Sequence, residues 1–175
     1  MGIEIERKFL LIDDSWRDAV HKVVPMAQGY LNDLAMVDSG AMQTSVRVRI
    51  EGDAAFLNIK SREAGPSRQE FDYEIPVADA RALLALCVGG KIDKHRHYLQ
   101  HEGHLWEIDE FLGDNAGLVV AEIELGHVDE IFVKPAWLGV EATHAQRYYN
   151  LALASRPYSH WDEVERLAID LKDTP

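Results

Sequence analysis

The sequence predicts a single α+β domain over residues 1–175, built on a long antiparallel sheet with helices packed outside it. Three observations predict this. Apolar and polar residues alternate with period two in at least eight short segments, the mark of half-buried strands. The breaks between those segments are short and rich in turn residues, which favours antiparallel neighbours. A few other stretches carry apolar residues at helical spacing. Nothing repeats internally, and no composition shift marks a linker.

The strands are expected near Ile3–Ile12, Ala27–Leu31, Thr44–Glu51, Ala55–Arg62, Arg68–Pro76, Lys91–Gln100, His104–Leu112 and Leu118–Leu125. Glu51-Gly52-Asp53, Ala64-Gly65-Pro66-Ser67, Glu102-Gly103 and Gly113-Asp114-Asn115-Ala116-Gly117 supply the turns. Asp14 or Ser15 is positioned to cap a short helix at Trp16–Val20, and Val77–Cys87 sets Ala80, Leu83, Leu84 and Cys87 on one stripe. After a Ser159 cap, Trp161–Leu171 aligns Trp161, Val164, Leu167, Ala168 and Leu171, while Tyr148–Ala154 adds a further turn or two.

With 47% apolar residues the chain can bury a sizeable core, which excludes disorder. Its formal charge of −12 opposes nonspecific nucleic-acid binding and provides no polybasic membrane anchor. Cys87 is the only cysteine, which rules out an intrachain disulfide, a CxxC pair or a cysteine zinc site. It reads as a small buried apolar residue near a helix end. The N-terminus is acidic where a signal peptide is basic, and no apolar run approaches the ~20 residues that span a bilayer. The expectation is a soluble, cytoplasmic protein.

Residues two apart share a face of a strand. Glu4, Glu6 and Lys8 therefore oppose Ile3, Ile5, Phe9 and Leu11, and Arg47 with Arg49 opposes Val46, Val48 and Ile50. Asn58 and Lys60 oppose Leu57 and Ile59; Lys94 pairs with Arg96, Glu107 with Asp109, and Glu122 with Glu124. A solvated face normally mixes polar types, whereas these faces segregate into acidic pairs and basic pairs. A sheet whose apolar face meets helices and whose charged face curls inward makes a polar-lined barrel. Converging carboxylates offer the all-oxygen environment that suits Mg²⁺ or Mn²⁺. Converging Arg and Lys suit phosphate oxygens. Both together suit a metal-bound polyphosphate chain.

Glu4-Ile5-Glu6-Arg7-Lys8 resembles the ExExK signature of the CYTH proteins, the triphosphate tunnel metalloenzymes. The likeness continues in order through Gln28-Gly29-Tyr30-Leu31, Val46-Arg47-Val48-Arg49, Asn58-Ile59-Lys60, Arg68-Gln69-Glu70-Phe71, Lys94-His95-Arg96, Trp106-Glu107-Ile108-Asp109, Ala121-Glu122-Ile123-Glu124-Leu125 and Arg147-Tyr148-Tyr149-Asn150. Departures occur at Asn58, at His97, and at His144-Ala145-Gln146 where Gly-Asp is common; they leave the charged signature intact.

The resemblance implies an eight-stranded antiparallel β-barrel, a tunnel binding a triphosphate with Mg²⁺ or Mn²⁺. It implies Glu4, Glu6, Asp109, Glu122 and Glu124 as metal ligands. Lys8, Arg47, Arg49, Lys60, Arg96 and Arg147 become triphosphate contacts, and Lys94 and Tyr30 catalytic groups beside the attacking water. Neither is a good base at neutral pH unless neighbouring cations lower its pKa. Hydrolysis of inorganic tripolyphosphate to pyrophosphate and phosphate is the first expectation. Nucleoside or thiamine triphosphate hydrolysis, a class IV adenylate cyclase and a non-catalytic polyphosphate-binding module follow as alternatives. The partner expected is the substrate, with a homodimer left open and neither nucleic acid nor membrane. A zinc site at His95, His97, His101 and His104 competes weakly, since a polar turn accounts for the last two.

Overall fold

A computed structural model describes residues 5–61 and 69–171. Among the described residues the chain forms nine strands, every reported pairing being antiparallel, with short helices. The strands are β1 (Ile5–Leu11), β2 (Val20–Tyr30), β3 (Thr44–Glu51), β4 (Ala54–Ser61), β5 (Glu70–Glu74), β6 (Val88–His101), β7 (His104–Phe111), β8 (Val119–Leu125) and β9 (Leu138–Glu141). The helices are α1 (Leu34–Asp38), α2 (Val77–Ala85), α3 (Asn150–Ser155) and α4 (Glu163–Arg166). The chain divides into two compact units, one of residues 1–24 with 94–175 and one of residues 25–93.

In the first unit β7 pairs with β6 and β8, and β1 lies between β8 and β9. Alternation sends Ile5, Phe9, Leu11, Leu99, Trp106, Ile108, Ala121, Ile123 and Leu125 to one side, where they pack with Trp16, Phe132 and Trp137. Trp106 is at the centre, fully buried, with its ring edge-on to Trp137 and Phe132 at centroid distances of 5.4 and 5.7 Å. Such contacts add to the area that an indole buries. The opposite faces of these strands carry the charges.

In the second unit β3 pairs with β2 and β4, and β4 with β5. Helix α2 lays Ala80 against Val48, Ile50 and Ala55, with Val77, Leu83 and Leu84 around it. This leaves Arg47 and Arg49 on the other face of β3. Gly29 lets the helix end come close: a Cβ there would stand 2.8 Å from the Cys87 sulfur and 3.0 Å from its Cβ. Gly29→Ala should therefore cost about 1–3 kcal/mol by overpacking. Denaturant unfolding reads this, and Cys87→Ala in the same chain should recover part of the loss; an unchanged midpoint for Gly29→Ala would contradict it.

Several expectations are corrected. Nine strands replace eight because β9 was not foreseen. Gly139 allows β9 to pair with β1, since a Cβ there would sit 2.8 Å from the Leu10 carbonyl oxygen. Strand β2 starts at Val20, well before Ala27. The expected helix at Trp16–Val20 is a 3₁₀ turn over Ser15–Ala19. Helix α1 was not expected. The single helix at Trp161–Leu171 is instead a 3₁₀ turn at Tyr158–His160, then α4, then a 3₁₀ turn at Ile169–Leu171. Its cap is Asp162, in a capping box with Glu165, rather than Ser159. Ala168, at φ 50°, breaks the helical path. The expected apolar cover also fails on β5, where Phe71 and Tyr73 are about half exposed.

Candidate active site

The charged face of the first unit is assembled by register. Lys8 lies opposite Glu122, Glu6 opposite Glu124, Arg96 opposite Asp109, and Glu107 opposite Glu122. The Lys8 ammonium donates to Glu6 Oε1 at 2.8 Å and to Glu122 Oε1 in a shorter contact. Arg96 grips three carboxylates: its Nε and Nη2 reach the two oxygens of Asp109 at 2.7 Å each, Nη2 also reaches Glu122 Oε2 at 2.7 Å, and Nη1 contacts Glu107. Lys94 donates to Asp109, and both side chains are almost wholly buried.

These contacts and burial shift the ionisation of each group. Burial alone would lower Lys8, but Glu122 and Glu6 outweigh it and hold its pKa above the ordinary value. Burial pushes the Lys94 ammonium down, with Asp109 opposing. Burial would raise the Asp109 carboxyl, but Lys94 and Arg96 hold it below the usual range. Glu107 is raised by burial, against the pull of Arg96. Arg96 stays charged throughout, its carboxylate partners outweighing burial.

Five carboxylates on this face, Glu6, Glu107, Asp109, Glu122 and Glu124, meet three cations, Lys8, Lys94 and Arg96. The deficit of two charges equals that of one divalent ion. Two carboxylate pairs, Glu6 with Glu124 and Glu107 with Glu122, face each other directly across neighbouring strands, an arrangement that repels unless a cation intervenes. The donors are hard oxygens throughout, which fits Mg²⁺ or Mn²⁺ in kind. Among the described residues no group of three His, Cys, Asp or Glu is arranged to hold a metal; Lys8 and Arg96 occupy the carboxylates instead. Glu4 lies outside the described residues.

In the second unit Arg47 and Arg49 share a face of β3, with Tyr30 opposite Arg47 and Phe56 opposite Arg49. The Arg49 guanidinium lies over the Phe56 ring, 5.4 Å from its centroid. The Nε atoms of both arginines are buried without a hydrogen-bond partner, although Arg49 Nε lies 3.7 Å from Glu51 Oε2 in an ion pair; Arg47 Nε is left as a donor for an acceptor oxygen. Lys60 follows on the same face of β4 and is half-buried. Tyr30 is buried, and burial raises its phenol while Arg47 opposes only in part. The lowering by neighbouring cations that a base role for Tyr30 would require is therefore not met. Lys94 is lowered chiefly by burial rather than by its cationic neighbours.

Arg147 is not brought to the Lys8 and Arg96 cluster. Its two terminal nitrogens hold the Asp170 carboxylate at 2.6 and 2.8 Å, and the guanidinium stacks on Tyr148 and Trp161. The zinc reading gains no support: His97 contacts Glu110 at 3.1 Å and packs on Trp16, while His104 contacts Glu130 at 3.0 Å.

Three features escaped the sequence reading as site residues. Glu107 holds Arg96, and its signal was present in the Glu107-Ile108-Asp109 alternation. Glu141 and Thr143 clasp β1: Arg7 Nε donates to Glu141 Oε1 at 2.9 Å, Thr143 Oγ1 donates to the same oxygen at 2.6 Å, and the Lys8 amide donates to Thr143 Oγ1 at 3.1 Å. Hydrogen bonds from Arg7 hold the Glu141 carboxyl below its ordinary 4.5. A depressed carboxylate stabilises the fold above its unfolded value and loses that contribution as pH falls. Glu141→Gln should thus lower the melting temperature at pH 7, and the gap to wild type should close on acidification below about 4.5. A gap that persists unchanged at about pH 3 would rule out this linkage.

The CYTH domain family profile matches residues 2–155. An inorganic triphosphatase of Acetivibrio thermocellus is 43% identical over 164 residues, covering 93% of this chain and all of that protein. An inorganic triphosphatase of Nitrosomonas europaea is 36% identical over 154 residues, covering 86% and 96% respectively. The crystal structure of an inorganic triphosphatase superposes with a TM-score of 0.68 at 33% identity, covering 88% of this chain and 95% of that one. With the profile spanning most of its length and relatives this similar, the chain belongs to the CYTH domain family.

Proposed function

We propose that the protein is a hydrolase that cleaves the terminal phosphoanhydride bond of inorganic tripolyphosphate, with Mg²⁺ or Mn²⁺ as cofactor. The observation that carries the reading is the Arg96 cluster, where three cations and five carboxylates share one face. The 43% and 36% identical relatives named inorganic triphosphatase support the choice of substrate. The cytoplasm is the proposed setting; among the described residues no helix is long and apolar enough to cross a membrane. A homodimer remains a proposal that an equilibrium sedimentation run decides.

Lys8 and Arg96 bind phosphate oxygens, exchanging their carboxylate partners for the anion, and Arg47, Arg49 and Lys60 are proposed to do the same. Arg147 is the weakest member of the set, since Asp170 already holds it. Glu6, Glu122 and Glu124, with Asp109 and Glu4, would hold the metal, which supplies Lewis-acid neutralisation of phosphate charge when bound. Water adds to the terminal phosphorus, the bridging P–O bond breaks, and pyrophosphate leaves. Lys94, whose pKa burial lowers against the pull of Asp109, is proposed to orient that water and help take its proton. Tyr30, with its raised pKa, acts only as a hydrogen-bond donor. Fixed donors of this kind stabilise charge that builds on the transferred and leaving groups.

Phosphate release from tripolyphosphate, ATP and thiamine triphosphate, each with Mg²⁺, tests the proposal. Fastest release from tripolyphosphate is expected. A preference for ATP or thiamine triphosphate would move the substrate to that class, and cyclic AMP with pyrophosphate would mean a cyclase. Tight calorimetric binding with no turnover of any triphosphate, even with Mn²⁺, would leave a binding module.

A further inference from the structure

We propose that Tyr149 is a positioning residue for triphosphate binding, acting through Lys8; this rests on the hydrolase reading above. The Lys8 ammonium lies 4.9 Å from the centroid of the Tyr149 ring. Lys8 is only 4% exposed, whereas Tyr149 is 40% exposed, so the ring covers the ammonium and itself faces solvent. The ring is fixed by Lys8's own backbone. The Lys8 carbonyl accepts from the Ala142 amide at 2.8 Å, the Lys8 amide donates to Thr143 Oγ1 at 3.1 Å, and the Tyr149 hydroxyl donates to the Thr143 carbonyl at 2.7 Å. Residues 141–149 thus close a loop of contacts that begins and ends on one lysine.

A ring face is a suitable partner for a cation that must change ligands. In this structure the ammonium is shared between Glu6 and Glu122, and binding a phosphate oxygen requires it to give up at least one of them. A third carboxylate in place of the ring would compete with the phosphate for its protons. A π face attracts the charge without taking a fixed hydrogen bond, and it keeps water from the ammonium, which strengthens attraction to an arriving anion. The ring and the hydroxyl have separable parts in this: the ring contacts the charge, and the hydroxyl latches the ring.

The test compares Tyr149→Phe, which keeps the ring, with Tyr149→Leu, which removes it. Tyr149→Leu should raise KM for magnesium tripolyphosphate by about five- to tenfold, with kcat within about twofold. Tyr149→Phe should keep KM within about twofold of wild type, the restored ring contact accounting for the rescue. In a Lys8→Gln background, Tyr149→Leu should produce no further change. Equal KM values for the Phe and Leu variants, or a Leu effect that persists in Lys8→Gln, would overturn the proposal, because a merely structural role does not depend on the lysine's charge. Calorimetric titration with magnesium tripolyphosphate reads the same differences as dissociation constants. If the wild-type chain binds without turnover, the hydrolase reading fails while this inference is still decided by binding.

Discussion

Replacing Arg96 with methionine should lower triphosphate turnover by at least about 10²–10³-fold, the range measured when a single preorganised donor to a developing charge is removed. The same change should destabilise the fold by about 3–5 kcal/mol, because it strips the partner from buried carboxylates. The structure gives the reason for both. One guanidinium holds both oxygens of Asp109, one of Glu122 and one of Glu107. Without it Glu107 and Glu122 face each other across β7 and β8 with no cation between them, and only Lys94 remains on Asp109. Denaturant unfolding and phosphate release read the two effects. Arg96→Lys separates them, keeping a charge but losing the fork, and should retain more stability than activity. A methionine variant within about 1 kcal/mol of wild type would show that the carboxylates do not depend on Arg96.

Removing divalent metal should suppress turnover at least as strongly, by about 10²-fold or more, since metal neutralisation of phosphate charge contributes several kcal/mol to such reactions. The charged face holds two more negatives than positives before any substrate arrives, and a triphosphate brings several more. Excess EDTA should abolish phosphate release from tripolyphosphate, and Mg²⁺ or Mn²⁺ added beyond the chelator should restore it. An independent reading is thermal: a metal that binds only the folded chain raises the melting temperature with concentration. Glu6→Gln with Glu124→Gln should flatten that rise, because it removes the opposed pair that calls for a cation. Turnover that survives complete chelation would end the metal-dependent reading.

The parts of the fold legible in the sequence are those where one face of a strand is apolar and its turns are short. Thr44–Glu51 matches β3 at both ends, and the charged and apolar faces of β1, β6, β7 and β8 fall as alternation requires. Alternation fails at Val20-His21-Lys22-Val23-Val24-Pro25, so the first half of β2 gave no signal. Strand β9 is only four residues long and depends on the fit of Gly139 against the Leu10 carbonyl, which no local pattern encodes. The C-terminal spacing from Trp161 to Leu171 imitated one helix. In fact Trp161 and Ala168 are buried while Val164 and Leu167 are about half exposed. On the charged face, residue types at period two set Lys8, Arg96, Asp109 and Glu122 inward on their strands, and the structure brings these four together. Arg147 could not be placed that way, because its partner Asp170 is 23 residues on and on a different element. Tyr149 was equally hidden, since a ring over an ammonium is a property of the clasp and not of any spacing.

The place of β1 between β8 and β9 in the first unit has a consequence for how the protein is made. Lys8 pairs with Glu122, 114 positions later in the chain, and β1's other neighbour, β9, begins at Leu138. Emerging from a ribosome, β1 has neither partner until most of the polypeptide has been synthesised, so Ile5, Phe9 and Leu11 wait unpaired in the meantime. Long-range pairing of this kind slows folding and prolongs exposure of apolar segments. The consecutive charges Glu6, Arg7 and Lys8 between Ile5 and Phe9 also keep this waiting strand soluble, because an interrupted apolar run is a poor seed for aggregation.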